Sequence, residues 1–218
     1  MLRYNHRLVE RKWRQIWEQD ASSCRELNRA CTVLIPKNDE KLDLENARLL
    51  VLSDFFVSSR LGQKPQISAF RGRESWLGSA IELGLFAHHS NIAQTRHDFG
   101  VMCRDYASEN DRMMASDVLC CGRLLHAPNL NDLLGDFGGD ALRLYFLFQG
   151  PPERDYTFEW HGLVSARRFI ERIWQLGLTC TGEMQVHPVG LQRVVDLTDA
   201  VKARVLQKKP HTALAAIM

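Results

Sequence analysis

Short β-branched apolar runs that alternate with amphipathic helices constrain this 218-residue chain more than any single motif does. CTVLIP, residues 31–36, is a compact apolar run ended by a proline and predicts a buried strand. Residues 66–70 and 118–121 predict two more. Residues 4–19 place Leu8, Trp13, Ile16 and Trp17 on one helical face, with Arg and Glu on the other. Residues 47–60 carry Leu49, Leu50, Leu52, Phe55 and Phe56 inward, residues 76–89 read as a further helix, and residues 104–114 as a polar one. Strands separated by helices need crossovers, so the expected class is α/β, a parallel sheet with helices on both faces.

The pattern then turns wholly helical. Residues 131–137 and 140–148 form helices split by Gly138 and Gly139, and Pro151-Pro152 stop the second. Residues 162–178 are amphipathic, and residues 191–218 form a last helical stretch interrupted at Pro210. This predicts a core over residues 1–150 and a helical connector over 151–218.

A net charge of +2 supplies no strong basic stripe for nucleic acid. No apolar run approaches the roughly 20 residues that span a bilayer, and the opening MLRYNHRLVERKW lacks a signal peptide's apolar centre. Six scattered cysteines with no CxxC pair point to a reducing cytoplasm. His88, His89, His97 and Cys103 fit no common zinc spacing, so neither metal nor cofactor is expected. Cys120 and Cys121 follow an apolar run and read as buried strand residues. Arg167, Arg168, Arg172 and the stretch from Lys202 to Lys209 read as a solvated basic face, with a tRNA-facing surface as the alternative. Trp13, Trp17, Trp160 and Trp174 read as packing residues rather than base-stacking platforms.

Residues 139–175, GDALRLYFLFQGPPERDYTFEWHGLVSARRFIERIWQ, resemble the segment after the active-site loop of leucyl-tRNA synthetase, a class I aminoacyl-tRNA synthetase. GDALRLY and GPPERD carry the resemblance most specifically. Weaker likenesses extend it. YNHRLVERKWRQIWE resembles that family's opening helix and CTVLIP its first strand. Residues 46–60, with Arg48 and Asp54, resemble the helix after the first signature, and SWLGSAIELGLFAHH the helix opening the second half. SENDRMMASDVL resembles the approach to the second signature, and KPHTALAAIM an early part of the anticodon-binding bundle. The resemblance implies a Rossmann-like (HUP-type) core, here without the family's large editing insertion, followed by partial bundle helices.

It also implies where chemistry belongs. The family activates an amino acid by attack of its carboxylate on the α-phosphate of ATP, a reaction run by positioning and positive electrostatics. One signature is a His-x-Gly-His turn at a helix N-terminus, and the other a mobile Lys-Met-Ser-Lys-Ser loop. Here the first falls on Asp43, Leu44, Glu45 and Asn46, and the second on Leu119, Cys120, Cys121, Gly122 and Arg123. Both imidazoles and the glycine are gone, and two carboxylates stand in their place. The second-half helix carries Gly78 and Ser79 where that family has polar pocket residues.

The expectation is therefore a degenerate core that has lost ATP-dependent leucine activation and works as a binding or regulatory module. Its partner would be a tRNA end, an amino-acid-like ligand, a protein or a second copy of itself. The candidate pocket residues are Asp43, Glu45, Asn46, Gly78, Ser79 and Glu82. One alternative is an acyl transferase fed by aminoacyl-tRNA, resembling cyclodipeptide synthases, with Ser79, Cys120 or Cys121 as nucleophile. Another is a residual ligase working with a partner chain.

Overall fold

The structure, a computed structural model, describes residues 3–21, 31–34, 42–61, 67–70, 82–83, 97–105, 115–180 and 188–218. Four strands, β1 (Cys31–Leu34), β2 (Ile67–Phe70), β3 (His97–Cys103) and β4 (Ala115–Cys121), form one sheet in the order β2-β1-β3-β4. Every pairing is parallel, with Val33 opposite Val101 and Val101 opposite Leu119 across the middle. Leaving β1 first on one side and then on the other puts a reversal of winding between β1 and β3. Among the described residues the sheet stops at four strands, and the full doubly wound fold with both faces covered is not evident.

Helix α2 (Leu44–Leu61) lies along β1 and β3 and is the centre of the molecule. Residues 44–53 are buried on every side, so the helix lacks the apolar stripe of a surface helix. Phe56 packs on Phe99 of β3 at 5.6 Å between ring centres. Helices α3 (Leu130–Phe137) and α4 (Gly139–Phe148) follow a two-residue strand β5 (Leu124–Leu125), which pairs in parallel with β6 (Tyr156–Thr157). Asn129 caps α3 by accepting the Asn131 N–H at 2.8 Å. The break between α3 and α4 is Gly138, whose φ of 86° costs a side-chain-bearing residue energy. Long helices α5 (Trp160–Thr179) and α6 (Pro188–Leu206) and a short α7 (Pro210–Ile217) complete the helical end, with Pro210 in the first turn of α7.

Helix α1 (His6–Ala21) docks in a way its apolar periodicity does not indicate. Leu8 and Trp13 are largely exposed. What holds α1 is polar. The Glu10 carboxylate accepts the backbone N–H of Gly139 at 3.0 Å and of Asp140 at 3.1 Å, occupying the N-terminus of α4. Tyr4 donates to Asp140 at 2.8 Å. Arg167 of α5 donates to the carbonyls of Phe137 and Tyr4 and to His6 Nδ1, pairs with Glu171, and lies over the Tyr4 ring.

Several sequence expectations are corrected here. His97–Cys103 is a strand that no apolar run announced, and residues 104–105 form a turn rather than the start of a helix. Trp160 packs edge-on against Phe158 with ring centres 5.1 Å apart, as a packing residue should, yet like Trp13 it stays about half exposed and outside the core. Arg167 is committed to α1 and α3, and Lys208 to Asp117 and the Val118 carbonyl, so neither belongs to a solvated basic face. Most of the helix expected over residues 76–89 lies outside the described residues, as do residues 106–114.

Candidate functional site

The carboxyl edge of a parallel sheet, at the point where winding reverses, is where open α/β folds bind ligands. Here that edge carries the first turn of α2 and the end of β4. Asp43 caps α2: its Oδ1 accepts the Asn46 N–H at 2.7 Å and its carbonyl the Ala47 N–H at 2.9 Å. An N-terminal turn that would otherwise offer N–H groups to an anion is occupied by the chain's own carboxylate. Glu45, two residues on, is buried, and its Oε1 accepts the Leu124 N–H at 3.2 Å. The same oxygen lies 4.0 Å from Nε of Arg123, which stands equally far from Asp105. Asn46 is also buried, and among the described residues its Nδ2 has no hydrogen-bond partner.

The end of β4 is strapped down from the other side. Gly122 donates its N–H to the Pro152 carbonyl at 2.9 Å, and Tyr156 donates to the Arg123 carbonyl at 2.9 Å. A Cβ on Gly122 would sit 2.2 Å from the carbonyl carbon of Arg154, so the approach of the two backbones requires glycine. Asp155 accepts the Arg123 N–H at 2.8 Å, and its two oxygens both accept from Nη2 of Arg104 at 3.0 and 3.2 Å. The Arg123 N–H, with Arg104 beside it, holds the Asp155 carboxyl below the usual carboxylate range.

Arg48 fastens the whole arrangement from within. It is 1% exposed, donates to the Gly122 carbonyl at 3.0 Å and to the Pro152 carbonyl at 3.2 Å, and lies over the Tyr156 ring. Asp54, six residues along α2, pairs with Arg143 of α4 at 3.3 Å, and burial pushes its carboxyl up despite that partner. Two polar residues of α2 thus bind the GDALRLY and PPERD segments.

The predicted positions separate accordingly. Asp43, Glu45, Asn46, Gly122 and Arg123 come together at the sheet's carboxyl edge. Leu119 and Cys121 are buried in β4, and Cys120 is half-buried beside them. Burial pushes the Cys121 thiol up to about 12, and the neighbouring Cys103 thiol is raised for the same reason. A thiol held in that form is a poor nucleophile. Glu82 is exposed and lines a separate cavity beside α1 and α5. Gly78 and Ser79 lie outside the described residues, as do His88 and His89. Asp105 and Asp155 were missed by sequence reasoning. Asp155 stands inside GPPERD, and the charge of that segment was its signal.

No family model matches the chain. Over 82 residues, 38% of this chain and 10% of the other protein, it is 30% identical to a leucine–tRNA ligase of Lawsonia intracellularis (strain PHE/MN1-00). The chain therefore spans about a tenth of the length of the curated relative it matches. It is a distant relative of that ligase.

Proposed function

We propose that this chain is a leucyl-tRNA synthetase-like core that has given up ATP-dependent activation of leucine and acts as a binding or regulatory module. The four-stranded parallel sheet is read as what remains of a Rossmann-like nucleotide-binding core over residues 1–150. Residues 151–218 are read as connector and partial anticodon-bundle helices. The observation that carries the proposal is the Asp43–Glu45–Arg123 arrangement. Asp43 and Glu45 at the first assigned position each accept a backbone N–H, and Arg123 at the second stands 4.0 Å from Glu45. A triphosphate brought to this turn would face two carboxylates, at a cost on the order of 1–4 kcal/mol for each close pair. It would also have to displace the Asp43 cap. The one cation assigned to the second signature, Arg123, already lies between Glu45 and Asp105.

The partner in this reading is a tRNA end, an amino-acid-like ligand or another protein. An acyl transfer through Cys121 is disfavoured by its burial and raised thiol. Leucine-dependent exchange of pyrophosphate into ATP tests the reading. The expected result is no exchange above a no-enzyme blank, and robust exchange by the purified chain would overturn it.

A further inference from the structure

Helices α1 and α2 sit at opposite extremes of burial. Every residue of α2 from Leu44 to Ser53 is buried, whereas between His6 and Ile16 no residue of α1 is. Leu8 of α1 is 66% exposed and Trp13 46%. Packing of an apolar face is what stabilises most protein helices, and α1 has little of it. Its hold is the polar set already described, in which Glu10, Tyr4, His6 and Arg167 bond to the turn between α3 and α4 and to one another. Each such bond replaces one to water, so its net worth is small.

Glu10 illustrates the balance. Burial raises its carboxyl above the ordinary range, the two N–H groups it accepts oppose the shift, and the Asp140 charge beside it adds to it. A carboxylate held in this way gains solvation by returning to water. The docked position is nonetheless specific. A Cβ on Gly138 would lie 2.5 Å from Glu10 Oε1 and 2.7 Å from the His6 Cβ, so α1 presses onto bare backbone at the break between α3 and α4.

We propose that α1 is a strap that leaves its seat as a unit in the native protein, uncovering the turn between α3 and α4 while α2 and the sheet stay folded. With α1 away, the N–H groups of Gly139 and Asp140 lose their acceptor. Trp174 loses the Tyr4 ring that stands 5.6 Å from it. Arg167 gives up the Tyr4 carbonyl and His6 Nδ1 but keeps the Phe137 carbonyl and Glu171, so α3 and α5 stay joined without the strap. A 16-residue helix off its seat is marginal in water, so leaving and unwinding are one step. Elements with few buried apolar contacts are the ones that open locally below the global unfolding transition. In the reading proposed above, the strap gives the module a closed and an open form.

Hydrogen exchange of the full chain at pH 7, followed amide by amide and corrected for intrinsic rates, is the test. The amides of residues 10–14 in α1 and those of Gly139 and Asp140 should share one protection factor. It should lie at least about a hundredfold below that of residues 47–53 in α2. Glu10→Ala should lower the shared factor about tenfold or more and leave α2 unchanged. Tyr4→Phe, which removes the bond to Asp140, should act in the same direction by a few fold and repeats the test should Glu10→Ala unfold. Gly139 and Asp140 protected as strongly as α2 while α1 exchanges fast would mean that α1 only frays, and overturns the proposal. So does a variant that lowers α1 and α2 by the same factor, because α1 would then belong to the global folding unit. These readouts need no nucleotide, so their failure leaves the pyrophosphate exchange test standing.

Discussion

Glu45 Oε1 and Arg123 Nε lie 4.0 Å apart, joining the first turn of α2 to the end of β4. The two residues are 78 positions apart in the chain, and in the proposed reading each falls in a segment where a class I synthetase keeps a nucleotide signature. The pairing gives the sheet's carboxyl edge an internal counter-charge, so the edge can be a stable surface without a bound anion.

Removing the carboxylate should therefore cost stability rather than open a working site. Glu45→Ala leaves the Leu124 N–H buried without its acceptor and Arg123 short of an anion. A loss of about 1–3 kcal/mol is expected in urea unfolding at pH 7. No change would mean that the Glu45 contacts are ornamental.

Arg48 is the harder loss. Arg48→Met strips the Gly122 and Pro152 carbonyls of a buried charged donor, with an expected penalty of about 3 kcal/mol or more. Arg48→Lys should recover only part of it, because an ammonium cannot fork to two carbonyls in the guanidinium plane. Denaturant midpoints of the three proteins give the order directly.

Two glycines should respond in opposite senses. Gly122→Ala drives a methyl group into the backbone of Arg154, which cannot give way as a side chain can. A loss of at least about 2 kcal/mol follows. Gly135, exposed inside α3, has nothing within 4 Å of an added Cβ. Gly135→Ala should raise stability by about 0.5–1 kcal/mol through helix propensity and a less flexible unfolded chain. Thermal melts of the pair provide the comparison.

The docking of α1 should weaken in mild acid. His6 Nε2 lies 3.2 Å from the Gly135 carbonyl and Nδ1 lies 3.1 Å from Arg167 Nη1. Arg only donates and a carbonyl only accepts, so both contacts are satisfied by neutral imidazole protonated on Nε2. Burial, followed by the nearby arginines, lowers the His6 pKa below its ordinary 6.5, while the Gly135 carbonyl opposes the shift. The folded state then binds fewer protons than the unfolded one just below pH 6.5. Stability contributed by neutral His6 is present above that pH and is lost as pH falls. Melting temperature should drop further between pH 7.5 and 5.5 for the wild type than for His6→Gln. Equal drops would show that His6 is not a source of the acid sensitivity.

Cysteine chemistry should follow burial. At pH 8 a thiol near 12 is thiolate in only about one molecule in 10⁴. Cys180 is exposed. Maleimide labelling read by peptide mass should therefore modify Cys180 well before Cys121, which should react on unfolding. Rapid labelling of Cys121 in the native protein would revive it as a nucleophile.

Helices with a clear stripe or a clear stop were legible in the sequence. The paired prolines end α4, Pro210 starts α7, and CTVLIP marks β1. Strand β3 was not legible, because HDFGVMC mixes charge and glycine with its apolar end and becomes a strand only between β1 and β4. The docking face of α1 was misread, because its hold is Glu10 on the N–H groups of another helix, a contact that leaves no periodic trace. At the candidate site, that residues 43–46 hold neither imidazole nor glycine was visible in the chain. That Glu45 and Arg123 then meet depends on two connections whose course no local pattern gives.

Calorimetric titration of magnesium-ATP, followed by amide spectra of residues 43–47, tests most directly whether the turn before α2 still accepts a nucleotide. No saturable heat up to millimolar ATP and unmoved amides of Asn46 and Ala47 are the expected result. Micromolar affinity with those two amides shifting on binding would contradict it, because the phosphates would then hold the positions now taken by Asp43.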